Sequence, residues 1–314
     1  MKEIAYISFR KQLLIIVFIS LWIQDSNAQQ DPNFTQYMYN TMTINPAYAG
    51  TRDVWSTGLL YRSQWTGIDG APMTATFSSH SPINDGKMGL GINIIHDEIG
   101  PQRDTHLNVN YSYIIDINRY TKLSMGVNAG GRFINVDFNR LTIFDPTDSS
   151  FDQIRNNISP QVGVGFQLYS DRFYVGLSAP FLLRTRFDDG GDGIESTLRD
   201  ELHYYLTAGY VFELSRDVQF KPSLMTRMVQ GAPLRLDLSA NFLFYEKFTL
   251  GAAYRFDAAV SALVGFQISD SMLLGLAYDY TVSEFAELRN PSFEVFLRYE
   301  LFKKYKKMYT PRFF

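Results

Sequence analysis

The chain predicts an all-β protein, an antiparallel transmembrane barrel of about 14 strands, and three observations carry the expectation. The first lies between Pro233 and Ile268. There Leu234, Leu236, Leu238, Ala240, Phe242 and Phe244 alternate with Arg235, Asp237, Ser239 and Asn241. A second row, Phe248, Leu250, Ala252, Tyr254 and Phe256, follows the turn Tyr245-Glu246-Lys247. A third row, Val260, Ala262, Val264, Phe266 and Ile268, follows Asp257-Ala258, with Ser261, Leu263, Gly265 and Gln267 on its other face. Successive side chains of a strand point to opposite faces, so each row reads as a strand with one apolar and one more polar side. The second observation is a sorting of connection lengths. Ser170-Asp171, Ser215-Arg216-Asp217, Tyr245-Glu246-Lys247 and Ser269-Asp270-Ser271 are short and recur at every second connection, whereas the long ones, near 138–157, 180–200 and 283–290, fall on the opposite side. Outer-membrane barrels have this asymmetry; a soluble sandwich, which also alternates, has no reason for it. The third observation is a secretory leader with no later apolar run long enough for a membrane helix.

The leader is expected at 1–28. Lys2, Arg10 and Lys11 precede the apolar run Leu13–Ile23, and Ser26-Asn27-Ala28 supplies small residues before Gln29. The run is too short to span a bilayer comfortably, which favours cleavage over anchoring. Cleavage removes three basic and two acidic residues and takes the formal charge from −3 to −4.

Residues 29–52 do not alternate. Asp31-Pro32 and Asn45-Pro46 punctuate the stretch, and Phe34, Tyr37, Met38, Tyr39, Met42, Ile44 and Tyr48 crowd it. It reads as an N-terminal periplasmic or plug-like segment. Two roles fit: a short lid packed into the end of the barrel, or a docking segment for a periplasmic partner.

The barrel is expected over 53–302, with strands near 53–62, 71–80, 87–96, 104–116, 121–137, 158–170, 171–179, 201–214, 217–230, 233–245, 247–256, 259–269, 271–282 and 291–301. Lipid-facing rows include Leu90, Ile92 and Ile94; Leu107, Val109, Tyr111 and Tyr113; and Leu274, Leu276, Tyr278 and Tyr280. The opposite rows carry charges of both signs: Lys221, Arg227, Arg235, Asp237, Arg255, Asp279, Glu294 and Arg298. A solvated lumen with charges paired across strands and a selective channel both accommodate them; mixed signs create no single-sign field. Asp188, Asp189, Gly190, Gly191, Asp192 and Gly193 lack EF-hand spacing and read as an extracellular loop. Residues 303–314 form a basic periplasmic tail around Lys303-Lys304-Tyr305-Lys306-Lys307.

Composition narrows the function. With 25 Phe, 20 Tyr and 22 Gly among 314 residues, the chain has the aromatic belts and close turns of barrel strands. A mean hydropathy of −0.14 excludes a helical membrane bundle. There is no Cys, hence no disulfide and no thiolate metal site, and the slight negative charge gives no footprint for nucleic acid. His80, His96, His106 and His203 show no metal-ligand spacing, and no G-x-S-x-G motif occurs. Neither a catalytic set nor a cofactor is expected.

Several stretches carry a family resemblance. They are Asp31-Pro32-Asn33-Phe34-Thr35-Gln36-Tyr37, Asn45-Pro46-Ala47-Tyr48-Ala49-Gly50, Tyr61-Arg62-Ser63-Gln64-Trp65-Thr66-Gly67 and Gly70-Ala71-Pro72. Together they resemble the opening of the PorP/SprF family of Bacteroidota, and the specific motifs are confined to about 31–83. The resemblance implies an outer-membrane protein of type IX secretion and gliding motility. Such a protein would help secrete, or retain at the surface, large partners such as adhesins, or would act in the core machinery beside its periplasmic components. No catalytic residues come with it. Phe34, Tyr37, Tyr39, Asn45, Pro46, Tyr48 and Trp65 are the expected partner-binding residues. The competing expectation is a passive porin for small solutes.

Overall fold

The computed structural model describes residues 33–137, 140, 155–183, 202–230, 232–282 and 290–301. The leader, the basic tail, the Asp188–Gly193 stretch and most of 138–157 and 283–290, read above from sequence, lie outside them. The strands are β1 (Trp55–Ser63), β2 (Met73–Ile83), β3 (Met88–Ile99), β4 (Gln102–Asp116), β5 (Lys122–Val136), β6 (Arg155–Tyr169) and β7 (Phe173–Ala179). They continue as β8 (His203–Tyr210, resumed at Phe212–Glu213), β9 (Val218–Val229), β10 (Arg235–Phe244), β11 (Phe248–Arg255), β12 (Ala259–Ser269), β13 (Met272–Thr281) and β14 (Ser292–Leu301).

The interruption in β8 has a local cause. Gly209 pairs with Ser223 and Phe212 with Phe220, so the register is the same on both sides of Val211. In that register Pro222 faces Tyr210, and proline has no N–H to give the ladder. Counting the two pieces as one strand gives 14, each antiparallel to its sequence neighbours. Closure comes from the ends: Trp55–Ser63 of β1 pairs along its length with Phe293–Leu301 of β14. The expected barrel is the observed one, with strand limits shifted by a few residues.

Side-chain facing follows the period of two. Outward positions are apolar and exposed, among them Leu59, Leu90, Leu107, Val109, Phe166, Leu177, Leu238 and Leu276. Inward positions are polar or small and buried, as with Asn93, Asn110, Ser112, Ser124, Gln167, Asn241 and Glu294. An outward aromatic ribbon marks one rim: Tyr210, Phe212, Phe220, Phe242, Phe244, Phe248 and Phe266 form successive ring contacts with centroids 4.6–6.4 Å apart. That rim carries the short connections 84–87, 117–121, 170–172, 214–217, 245–247 and 270–271. At the other rim the chain leaves β1, β5, β7 and β13 for longer connections, beginning at 64, 137, 180 and 282, and turns briefly at 100–101, between β9 and β10, and at 256–258. We call them the short-turn and long-connection rims.

Candidate functional site: the filled lumen

The inside of this barrel is occupied by its own chain. Residues 34–51 are buried throughout. They form two single-turn 3-10 helices, Thr41–Thr43 and Pro46–Tyr48, joined by tight turns. Asn45 makes the second: its side chain accepts from Ala47 N at 3.0 Å, and Pro46 follows with its φ already fixed. No apolar period runs through the segment because it touches wall on all sides, and single turns satisfy the backbone where no ladder is available.

The segment runs along the barrel axis. At its start, Thr35 and Gln36 donate their amides to the Glu294 carboxylate at 2.6 and 3.0 Å, and the Thr35 hydroxyl donates to Asp279 at 2.8 Å. Arg62 completes this group, reaching Asp279 at 2.6 Å and Glu294 at 2.5 Å. Asp279 and Glu294 lie near the β13–β14 connection, so this end sits toward the long-connection rim. Midway, Asn40 donates to Thr76 at 3.0 Å and Asn45 to the Phe166 carbonyl at 3.1 Å. Farther on, wall hydroxyls serve segment carbonyls: Ser178 to Ile44, Ser124 to Ala47 and Ser112 to Ala49, at 2.6, 2.6 and 2.7 Å. Gly50 N then donates to His80 Nδ1 at 3.1 Å, and Arg52 donates to Glu300 at 2.6 Å near the short-turn rim. Burial works against the Arg52 charge, but Glu300 outweighs it and holds the guanidinium pKa above its ordinary value.

Apolar packing fills what hydrogen bonds leave. Phe34, Tyr37, Met38, Tyr39 and Ile44 join Leu60, Tyr205, Met225, Leu263, Leu273, Ala277 and Phe296 of the wall in one cluster. Tyr39 stacks on Phe296 with centroids 5.7 Å apart, and Lys221 Nζ lies 5.4 Å from the centre of the same Tyr39 ring. At about 1.5–3 kcal/mol per buried large apolar side chain, the seven of the segment contribute on the order of 10–20 kcal/mol relative to exposure, an upper bound.

The wall is cut to fit. A Cβ at Gly126 would run into Ala47 backbone, one at Gly89 into the Ala49 carbonyl, and one at Gly165 into the Asn45 side chain. Glycine is required at these positions by close approach.

The expected site residues divide as follows. Phe34, Tyr37, Tyr39, Asn45, Pro46 and Tyr48 all lie in the lumen, each less than a tenth exposed. Their ring area is turned to the wall, so a partner reaches it only if the segment leaves. Trp65 is separate. It is half-buried in the β1–β2 connection at the long-connection rim, at a positive φ of 48°, with its amide on Ser292 Oγ at 3.1 Å. The charged residues face inward: Lys221, Arg227, Asp237, Arg255, Asp279, Glu294 and Arg298 are buried and Arg235 half-buried. Arg255 pairs with Asp237 at 2.8 Å. Arg52, Glu300 and the pair Arg132–Asp104, joined at 2.5 Å beside His106, carry no signal as site residues in the sequence, and Arg62 stands there only within the Tyr61–Gly67 motif. The signal for Arg62 was present: it continues the inward row Ser56, Gly58, Leu60. Among the described residues no group of three His, Asp or Glu is placed to hold a metal ion.

Comparison with known proteins decides the relationship. The profile of the type IX secretion system membrane protein family PorP/SprF matches residues 26–299. The chain belongs to that family. With a closed barrel of this kind, membership gives an outer-membrane location. No curated protein sequence matches this PorP/SprF chain. Among solved structures it is similar to the CymD monoaromatic hydrocarbon channel, at 10% identity and a TM-score of 0.52, over 84% of this chain and 93% of that one. A TodX deltaS2S3 mutant monoaromatic hydrocarbon channel gives 10% identity and a TM-score of 0.51, over 83% and 93%. The Acinetobacter baumannii outer membrane protein Omp33 gives 7% and 0.47, over 79% and 99%. At such identities the likeness is one of fold.

Proposed function

We propose that this PorP/SprF barrel is a non-enzymatic component of type IX secretion that assists export, or attachment at the cell surface, of large partner proteins such as adhesins. The observation that carries the reading is the filled lumen. A porin works through a continuous aqueous path, and here that path is taken by Phe34–Thr51, hydrogen-bonded to the wall at both ends. Family membership supplies the secretion context. The partners this reading calls for are outer-membrane lipid around the barrel and either adhesin-like cargo or periplasmic secretion components. It calls for no nucleic acid and no cofactor. The leader 1–28 would be cleaved on export, leaving Gln29 as the first residue.

The test joins two measurements. Purified protein in a planar bilayer should give no steady conductance, and deletion of the gene should remove large proteins from the secreted or surface fraction. Ohmic conductance, together with an unchanged surface proteome and reduced uptake of small solutes, would replace this reading by the passive porin.

A further inference from the structure

We infer that residues 34–51 are a fixed core of the barrel and stay in the lumen while the protein works, so that partner proteins are engaged from outside the barrel and do not pass through it. This rests on the secretion reading above and says how the barrel carries it out.

Three independent features separate a core from a removable gate. The first is the wall's interior chemistry. Leu60, Leu263, Leu273 and Phe296 point inward and are almost fully buried against the segment. A lumen that opens to water has no use for them, since each would then present apolar surface to solvent. The second is the fit of backbone to backbone at Gly89 and Gly126, where even one methyl group would collide with the segment. Backbone met by backbone at both positions leaves the segment no slack to shift along the wall. The third is the reach of the segment around the wall. Thr35 and Gln36 bond to β13 and β14, at the carboxyl end of the chain, while Ile44, Ala47 and Ala49 bond to β7, β5 and β4. The segment therefore ties the strands beside the β1–β14 seam to strands far from it around the circumference. Removing it would strip both sides of one cooperative unit.

A lock tests the inference, and the absence of native Cys makes it clean. Asn40→Cys with Thr76→Cys replaces side chains whose polar atoms lie 3.0 Å apart, one on the segment and one on the wall. Where the two thiols do not oxidise directly, a short thiol-reactive cross-linker with a reducible arm joins them. The joined barrel should show the link by mass and by non-reducing gel, and should display the large surface protein with no loss against its reduced form. Loss of display on oxidation, restored by reductant, would make the segment a moving gate and overturn the inference while leaving the secretion role standing. Failure of the pair to join by either route in folded barrel would also overturn it. Deletion of the gene without effect on display would instead sink the secretion reading itself.

Discussion

Arg62 of β1 faces Glu294 of β14 directly across the seam that closes the barrel, and its guanidinium meets the carboxylate at 2.5 Å. The same nitrogen serves Asp279, and Thr35 and Gln36 of the lumenal segment donate to the same acids. Closure of the barrel and seating of the segment thus share one buried charge cluster. Removing one member of a buried ion pair leaves a charge without compensation, which costs about 3–5 kcal/mol. Arg62→Ala should therefore lower the denaturant midpoint and the temperature at which the compact band in SDS converts to the extended one. Neutralising the cluster together, as Arg62→Met, Asp279→Asn and Glu294→Gln, should cost less than Arg62→Ala alone, because groups in one network are not additive. Equal or greater loss in the triple variant would mean that charge is not what makes the cluster costly to break.

Gly126 is the sharper test of fit. Gly126→Val places methyl groups against Ala47 backbone, which has no flexible end to move aside. Overpacking of this sort costs about 1–3 kcal/mol. Gly131, on the same strand, meets nothing nearer than 3.5 Å, so Gly131→Ala should be close to neutral. Urea or guanidinium midpoints of the two variants check the contrast; equal midpoints would put the segment elsewhere.

Facing can be measured on β10. Leu238 is exposed on the outer face near the strand's middle, and Asp237 is buried inside. Leu238→Arg should cost about 2–4 kcal/mol, the depth-dependent penalty for a cation on the lipid face. A cysteine at 238 should react with a lipid-phase reagent, and one at 237 should not. The reverse result would mean a register shifted by one residue.

The barrel was legible in the sequence because lipid and lumen impose opposite demands on neighbouring residues, so rows such as Leu236, Leu238 and Phe242 against Asp237, Ser239 and Asn241 write the strand out in full. The path of residues 34–51 was not legible. Isolated 3-10 turns leave no period, and Phe34 or Tyr37 reads equally well as docking area or as core until a wall is placed beside it. Two kinds of residue did carry the information. Leu263 stands in the otherwise polar row Ser261, Gly265 and Gln267, and it packs in the lumenal cluster. Gly126 and Gly165 sit at inward positions of β5 and β6, where an empty lumen would have admitted side chains. Both are odd only to someone who already expects water inside.

The double variant Phe34→Ala with Tyr37→Ala separates the two readings of the segment most directly. If these rings served only as a docking surface for a partner, their loss would leave the barrel's stability unchanged, since neither lies on a strand. Packed as they are against Tyr205, Met225 and their neighbours, each truncation leaves a cavity, and buried Phe→Ala changes cost about 3–5 kcal/mol. The two rings share one cluster, so the pair should lose less than twice the single value. The measurement is the urea midpoint of the refolded barrel, with surface display compared at equal amounts of inserted protein. A marked drop in midpoint with display retained per inserted barrel is the expected outcome. An unchanged midpoint with display lost would take the rings out of the lumen and return them to partner binding.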